Sequence, residues 1–226
     1  MSTAITEASD QAENTRASFI RSRLGSLLAI APLGVWTFIH LWNNLAAWRF
    51  REDHGDAWQS AVTDHAHPVA HFVTAIIVLL PLALHTAWGV GRLLTMRPNN
   101  IQYGFYGNLK YLLQRLSALG VVLFLGAHIW LAMLKPWFLE GHAEHFSSLA
   151  SQMRNHPPTL VVYLLGTLGV SYHLANGVGT WVMGWGLVSS KRALRKFEIV
   201  SLTLFVVLLG MSWGVIYALY MAGAQS

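Results

Sequence analysis

The chain has 226 residues, of which 54% are hydrophobic and 11% charged, with a formal net charge of +5; its mean hydropathy is +0.43. Soluble domains carry about 25% charged residues, so the composition excludes a soluble globular enzyme and indicates an all-α membrane protein. There is no cysteine, which excludes disulfides and every site built on thiolate ligands.

A membrane-spanning helix needs about 20 mainly apolar residues. Five segments qualify, at 24–48, 72–94, 112–135, 159–188 and 197–222. Before the first lies a polar tail, 1–23, containing Glu7, Asp10 and Glu13. An acidic tail is the wrong n-region for a cleaved signal peptide, so the first segment reads as a retained span. Pro32 and Pro81 lie inside spans one and two, where a proline kinks a helix.

The connection 49–71 is polar, with Glu52, Asp53, Asp56 and Asp64. It ends in His65-x-His67-x3-His71, a metal-like density that Pro68 interrupts and that lacks a fourth ligand. The connection 95–111 carries Pro98-Asn99-Asn100, a turn, and Tyr103-Gly104-Phe105-Tyr106-Gly107, an interfacial aromatic belt. The connection 136–158 is bounded by Pro136 and Pro157-Pro158, and its middle, His142 to Met153, reads as a short surface helix. Span four is long enough to tilt. A short tail, 223–226, ends the chain.

Positive charge is uneven. Arg16, Arg21, Arg23, Arg92, Arg97, Lys110, Arg115, Lys191, Arg192, Arg195 and Lys196 fall on one side of the membrane, against Arg49, Arg51, Lys135 and Arg154 on the other. By the positive-inside rule the N-terminus is expected in the cytoplasm and the C-terminus outside. Every basic cluster abuts a span, so a nucleic-acid surface is not expected; membrane lipid or a soluble partner is.

The most informative residues are four histidines, one in each of the first four spans: His40, His85, His128 and His173. An ionisable residue at membrane depth is a functional-site hypothesis by default. At about 1.5 Å per residue, His40 and His128 lie on the order of 24 Å from the basic side, and His85 on the order of 14 Å. His173 is near mid-span, so it pairs with His85 by elimination. In an up-down bundle, helices one and three are diagonal, as are two and four. Each diagonal pair can clamp one haem, with an imidazole on each face of the iron: His40 with His128 for an outer haem b, His85 with His173 for an inner one.

The glycines agree. His85 is followed by Gly89 and Gly91, and His173 by Gly177 and Gly179, a repeated His-x3-Gly-x-Gly. Gly89 and Gly177 give clearance for a flat macrocycle. Arg23, Ser26, Gln114 and Arg115 stand at the inner edge as candidate contacts for haem propionates. A proton or cation pathway brings acidic residues into the spans, and here only Glu198 lies in one. His54, His142, His145 and His156 read as solvated loop residues.

These stretches resemble the cytochrome b membrane subunit of succinate:quinone oxidoreductase in its five-helix, two-haem form. They are Arg23-Leu24-Gly25-Ser26, Pro32-Leu33-Gly34 and His40-Leu41-x-x-Asn44 on span one, Pro81-Leu82-x-x-His85-x3-Gly89-Val90 on span two, Leu113-Gln114-Arg115 and His128-Ile129-Trp130 on span three, and His173-x-x-Asn176-Gly177 and Trp185-Gly186 on span four. The resemblance covers residues 18 to 222. It implies a bacterial cytoplasmic-membrane anchor for a flavoprotein (FAD) subunit and an iron–sulfur subunit, passing electrons through two haems to a quinone, typically menaquinone. It leaves a higher oligomer open. It also implies an acidic residue of the first connection at the quinone site, for which Asp64 is the candidate. Some fumarate reductases of the family carry a glutamate two residues before the fourth ligand; here that residue is Ser171. The rival readings are the di-haem membrane subunit of a nitrate reductase or formate dehydrogenase, whose histidines are distributed differently, and a haem-free transporter.

Overall fold

The computed structural model describes residues 15, 18–20, 23–63, 72–95, 97 and 102–225. Among them, all regular structure is helical. Five helices are long and apolar enough to cross a membrane: Ser18–Asp53, Phe72–Leu94, Tyr106–Glu140, Pro157–Gly184 and Lys191–Ala222, hereafter spans one to five. Two short helices, Asp56–Val62 and Phe146–Asn155, fold over one end. That is the capped end; the basic side chains mark the other. Asp64, His65, His67 and His71 lie outside the described residues.

The helices outrun the apolar segments where local signals let them. Span four starts at Pro157-Pro158, which suit a first turn because no intrahelical donor is needed there. The ring of His156 caps it, accepting from Thr159 N at 3.3 Å, so this loop histidine has a structural task. Span five starts six residues before its apolar stretch because Ser190 Oγ accepts from Ala193 N at 3.2 Å, a side-chain N-cap. Span three continues past Pro136 and stops at Gly141, whose φ of 76° is left-handed.

The prolines act through π turns. One turn, Ala29–Gly34, contains Pro32; another, Ala75–Leu79, comes just before Pro81; a third, Trp130–Leu134, just before Pro136. Proline lacks an N–H and its ring crowds the carbonyl four residues back. A wider turn absorbs both effects by adding one residue. His40 and His85 each follow six residues after the end of such a turn, so the turn sets the direction in which each imidazole leaves its helix.

Span one packs on span two, two on three, three on four, and four on one. This ring leaves one opposite three and two opposite four. Span five lies outside the ring against spans four and one. The surfaces facing away from the bundle are apolar: Trp42, Ile77, Leu84, Leu123, Leu165 and Val206 are all exposed. Such a surface suits hydrocarbon and not water. The dense core sits under the cap, where Phe50, Trp58, Phe146, Met153, Tyr163 and Leu219 are buried together. Gly55, at φ 97°, passes directly against the Phe146 ring, so the short connection turns where only glycine fits.

Gly166 is a point of close approach between spans three and four, where the Phe124 ring lies against its bare Cα. Gly166→Ala should destabilise the protein by about 1–3 kcal/mol through overpacking. A lower thermal denaturation midpoint of the detergent-solubilised protein would register this, and an unchanged midpoint would show that Phe124 swings clear at no cost.

Candidate functional site

Near the capped end, His40 of span one meets His128 of span three with ring centres 5.9 Å apart and planes at 73°. Nearer the basic end, His85 of span two meets His173 of span four at 6.3 Å and 65°. Each pair spans the bundle between opposite helices. Two imidazoles on opposite sides of one metal, each with a bond of about 2 Å, have ring centres about 6 Å apart. Both spacings match that geometry.

Three of the four rings have Nδ1 next to a protein group. His85 Nδ1 lies 3.0 Å from Gly25 O. Gly25 must be glycine because the Trp88 ring occupies the place of a Cβ. His128 Nδ1 lies 3.2 Å from the Tyr163 hydroxyl, and Phe124 stacks on its ring at 5.5 Å. His173 Nδ1 lies 3.2 Å from Gln114 Nε2 and 3.4 Å from Ser117 Oγ. Ser117 donates its own proton to Gln114 O at 3.0 Å, so its lone pairs are free to accept. Gln114 Nε2 donates to His173 O at 3.1 Å, and its Oε1 accepts from Asn176 Nδ2 at 2.8 Å. At His85, an Nδ1–H donated to the Gly25 carbonyl leaves Nε2 bare, the tautomer that a metal requires.

His40 is held differently. Trp36 stacks on it at 4.6 Å with planes 12° apart. Asn44 Nδ2 donates to His40 O at 2.8 Å and lies 3.4 Å from the ring Nε2, so its stronger bond is to the carbonyl. Asn44 Oδ1 accepts from Trp58 Nε1 at 2.9 Å. Trp58, on the first short helix and buried to 2% exposure, therefore ties the cap to the His40 turn.

The basic end presents unpartnered donors. Among the described residues, Arg23 Nε, Arg115 Nε and Trp181 Nε1 are buried without a hydrogen-bond partner. Arg23 lies against the bare Cα of Gly184 at the foot of span four, one helical turn beyond Trp181. His173, Gly177, Trp181 and Gly184 recur at helical spacing, so they share one face. Orphaned cationic donors fit carboxylates, which haem propionates are. Ser26 and Gln114 are already committed: Ser26 Oγ donates to Arg23 O at 2.8 Å, and Gln114 serves His173.

A Cβ at Gly89 would meet nothing within 4 Å, so there is open space one turn from His85. At Gly177 it would lie 3.6 Å from Gln114 Nε2, so there the small residue serves contact between spans three and four. Among the described residues, no cluster of three or more His, Cys, Asp or Glu could hold a bare metal ion. The donors come in twos, which suits an iron whose other four ligands belong to a macrocycle. Sequence reading missed Tyr163, Ser117, Trp58 and Trp181. Tyr163, Ser117 and Trp58 reach their histidine or its turn from another helix, at a rotation that no spacing along their own segment reveals; Trp181 shares the helix and face of His173, a spacing the sequence does carry.

The chain is 30% identical over 195 residues to the succinate dehydrogenase cytochrome b558 subunit of Bacillus subtilis (strain 168), covering 84% of this chain and 91% of that protein. No family model matches the chain, and no solved structure matches it.

The Trp58–Asn44 bond is testable on its own. Trp58→Phe should leave Asn44 Oδ1 buried and unpaired at a cost of about 1–3 kcal/mol. Denaturation of the variant should begin earlier than in the parent protein, and coincident curves would mean that Asn44 finds another donor.

Proposed function

The chain belongs to the family of succinate dehydrogenase cytochrome b subunits, and on that premise we propose that it is a di-haem electron conduit and membrane anchor. Its partners are a flavoprotein subunit and an iron–sulfur subunit. Its electron acceptor is a quinone, menaquinone on the family pattern. The observation that carries the reading is the meeting of His40 with His128 and of His85 with His173 at 5.9 and 6.3 Å.

In this reading His40 with His128 and His85 with His173 would each hold the iron of one b haem, and the spans from about 24 to 222 form one haem-binding domain. Bound there, the haems supply one-electron exchange at two depths of the membrane. The chain's own residues do the rest. Gly25 O fixes His85 in the ligating tautomer, Tyr163 bonds His128 Nδ1, and Gln114 with Ser117 bonds His173 Nδ1. Trp36 and Phe124 shield the capped-end pair from water. Arg23 and Arg115 hold the inner propionates, with Trp181 as a further donor. The basic end faces the cytoplasm, a placement supported by the excess of Lys and Arg there, and receives the iron–sulfur partner. The capped end lies outside, and its connection 49–71 carries Asp64, proposed for the quinone site.

Replacement of one ligand tests the pairing. His85→Ala or His173→Ala should remove one of two low-spin haems and leave the other, with haem per polypeptide halved and succinate-to-quinone transfer lost. His40→Ala or His128→Ala should remove the other haem. Reduced-minus-oxidised visible spectra and haem extraction of the purified complex read both. A His85→Ala protein that keeps two low-spin haems would overturn the assignment.

A further inference from the structure

One helix over from the capped-end pair stands a side chain whose polar atom is turned onto a proposed iron ligand. The Tyr163 hydroxyl of span four lies 3.2 Å from His128 Nδ1. Tyr163 is 6% exposed and belongs to the packed cluster under the cap, so bulk water does not compete for the bond. An aromatic corner holds it there. The Tyr163 ring stands edge-on to Phe124, with centres 5.4 Å apart and planes at 89°, and edge-on to His128 at 5.7 Å and 72°. Phe124 and His128 are one turn apart on span three and stack at 5.5 Å. Phe124 fits this corner because the residue facing it is Gly166, on the same helix as Tyr163. The hydroxyl lies on the axis about which its ring turns, so ring flips leave the bond in place.

Proton counting fixes which group donates. A neutral imidazole has one N–H. With Nε2 on iron, Nδ1 carries that hydrogen, and the Tyr163 oxygen accepts it. The basic end has a counterpart with a difference. There His85 Nδ1 lies 3.0 Å from Gly25 O, a main-chain acceptor that no substitution deletes. At the capped end the acceptor is a side chain, so the strength of the ligand is open to the sequence.

We propose that Tyr163 is a positioning residue that sets the reduction potential of the capped-end haem: by accepting the His128 Nδ1–H, it holds that haem at a lower potential than the two imidazoles alone would give. This rests on the proposed ligation of iron by His128. An acceptor on Nδ1–H draws the proton outward and makes the imidazole a more basic ligand. A more basic axial ligand gives more charge to iron and stabilises the ferric form over the ferrous one. The bond is itself stronger in the ferric state, where the ring carries more positive charge. Both effects lower the potential. A lower potential makes this haem the readier donor to the electron acceptor that follows it.

Tyr163→Phe deletes the hydroxyl and keeps the ring. Redox titration of both haems in the intact purified complex, followed in the visible spectrum, is the experiment. The capped-end haem is identified as the one that His128→Ala removes. In Tyr163→Phe its reduction equilibrium constant should rise about three- to tenfold, an upward shift of about 28 to 59 mV for one electron. Both low-spin haems should remain, and the basic-end haem should keep its potential. A tyrosine that serves packing alone predicts no shift, because phenylalanine retains both edge-on contacts. An unmoved or lowered capped-end potential would therefore sink the proposal. Should the variant lose a haem, the parent complex carries the test, in redox-difference infrared spectra recorded with ring-labelled tyrosine. A tyrosine C–O band that moves between the oxidised and reduced states supports the bond to the ligand, and its absence overturns it. Loss of the two-haem spectrum from the parent complex itself would instead sink the reading on which the proposal rests.

Discussion

Imidazoles from opposite helices must meet near the axis of a bundle that has no water to help them. Much of the structure answers that constraint. Each ring brings two polar nitrogens into an apolar interior, where an unpaired polar group is costly. The chain gives Nδ1 of three rings a neighbour, Gly25 O, Tyr163 or Ser117. Close approach then follows: Gly25 yields to Trp88 and Gly166 to Phe124, since aromatic walls around the rings can fit only where the facing helix lacks a Cβ.

The two ends of the molecule solve different problems. The basic end is rich in cations, and among the described residues it holds guanidinium donors with buried, unpartnered nitrogens. The capped end is where the densest packing lies. The Trp58–Asn44 and Gln59 bonds stitch its two short helices to each other and to span one. One end is built to receive charge, the other to exclude solvent. That division fits the electron path proposed above, from the basic end toward the capped end.

What the sequence made legible was height. Counting residues along a helix converts directly into depth, so His40 and His128 could be levelled from their positions alone, and helix order supplied the diagonals. Rotation was not legible. A hydrogen-bond partner on a neighbouring helix depends on which way both helices turn, and each π turn shifts that phase within a span. Tyr163 and Ser117 were invisible for this reason. Element ends were partly legible: Pro157-Pro158 marks a helix start, but Pro136 does not mark a stop, because the chain widens into π geometry around it. The connection after span one looked like a polar loop. Its residues Asp56–Val62 form a helix because the turn at His54 and Gly55, both at positive φ, folds Trp58 back under the cap.

The π turns also bear on how relatives of this chain can be compared. A helix with one residue too many keeps its height almost unchanged but points everything beyond the extra residue in a new direction. Two sequences can therefore share a function while differing by a single residue in mid-membrane, near Pro32 or Pro81. An alignment that forces all length differences into the loops would then match the wrong faces over half a span. For this architecture, a one-residue gap inside a hydrophobic segment is a physically reasonable place for sequences to diverge. The distance from that gap to the histidine is a better guide to homology than the hydrophobic pattern on either side.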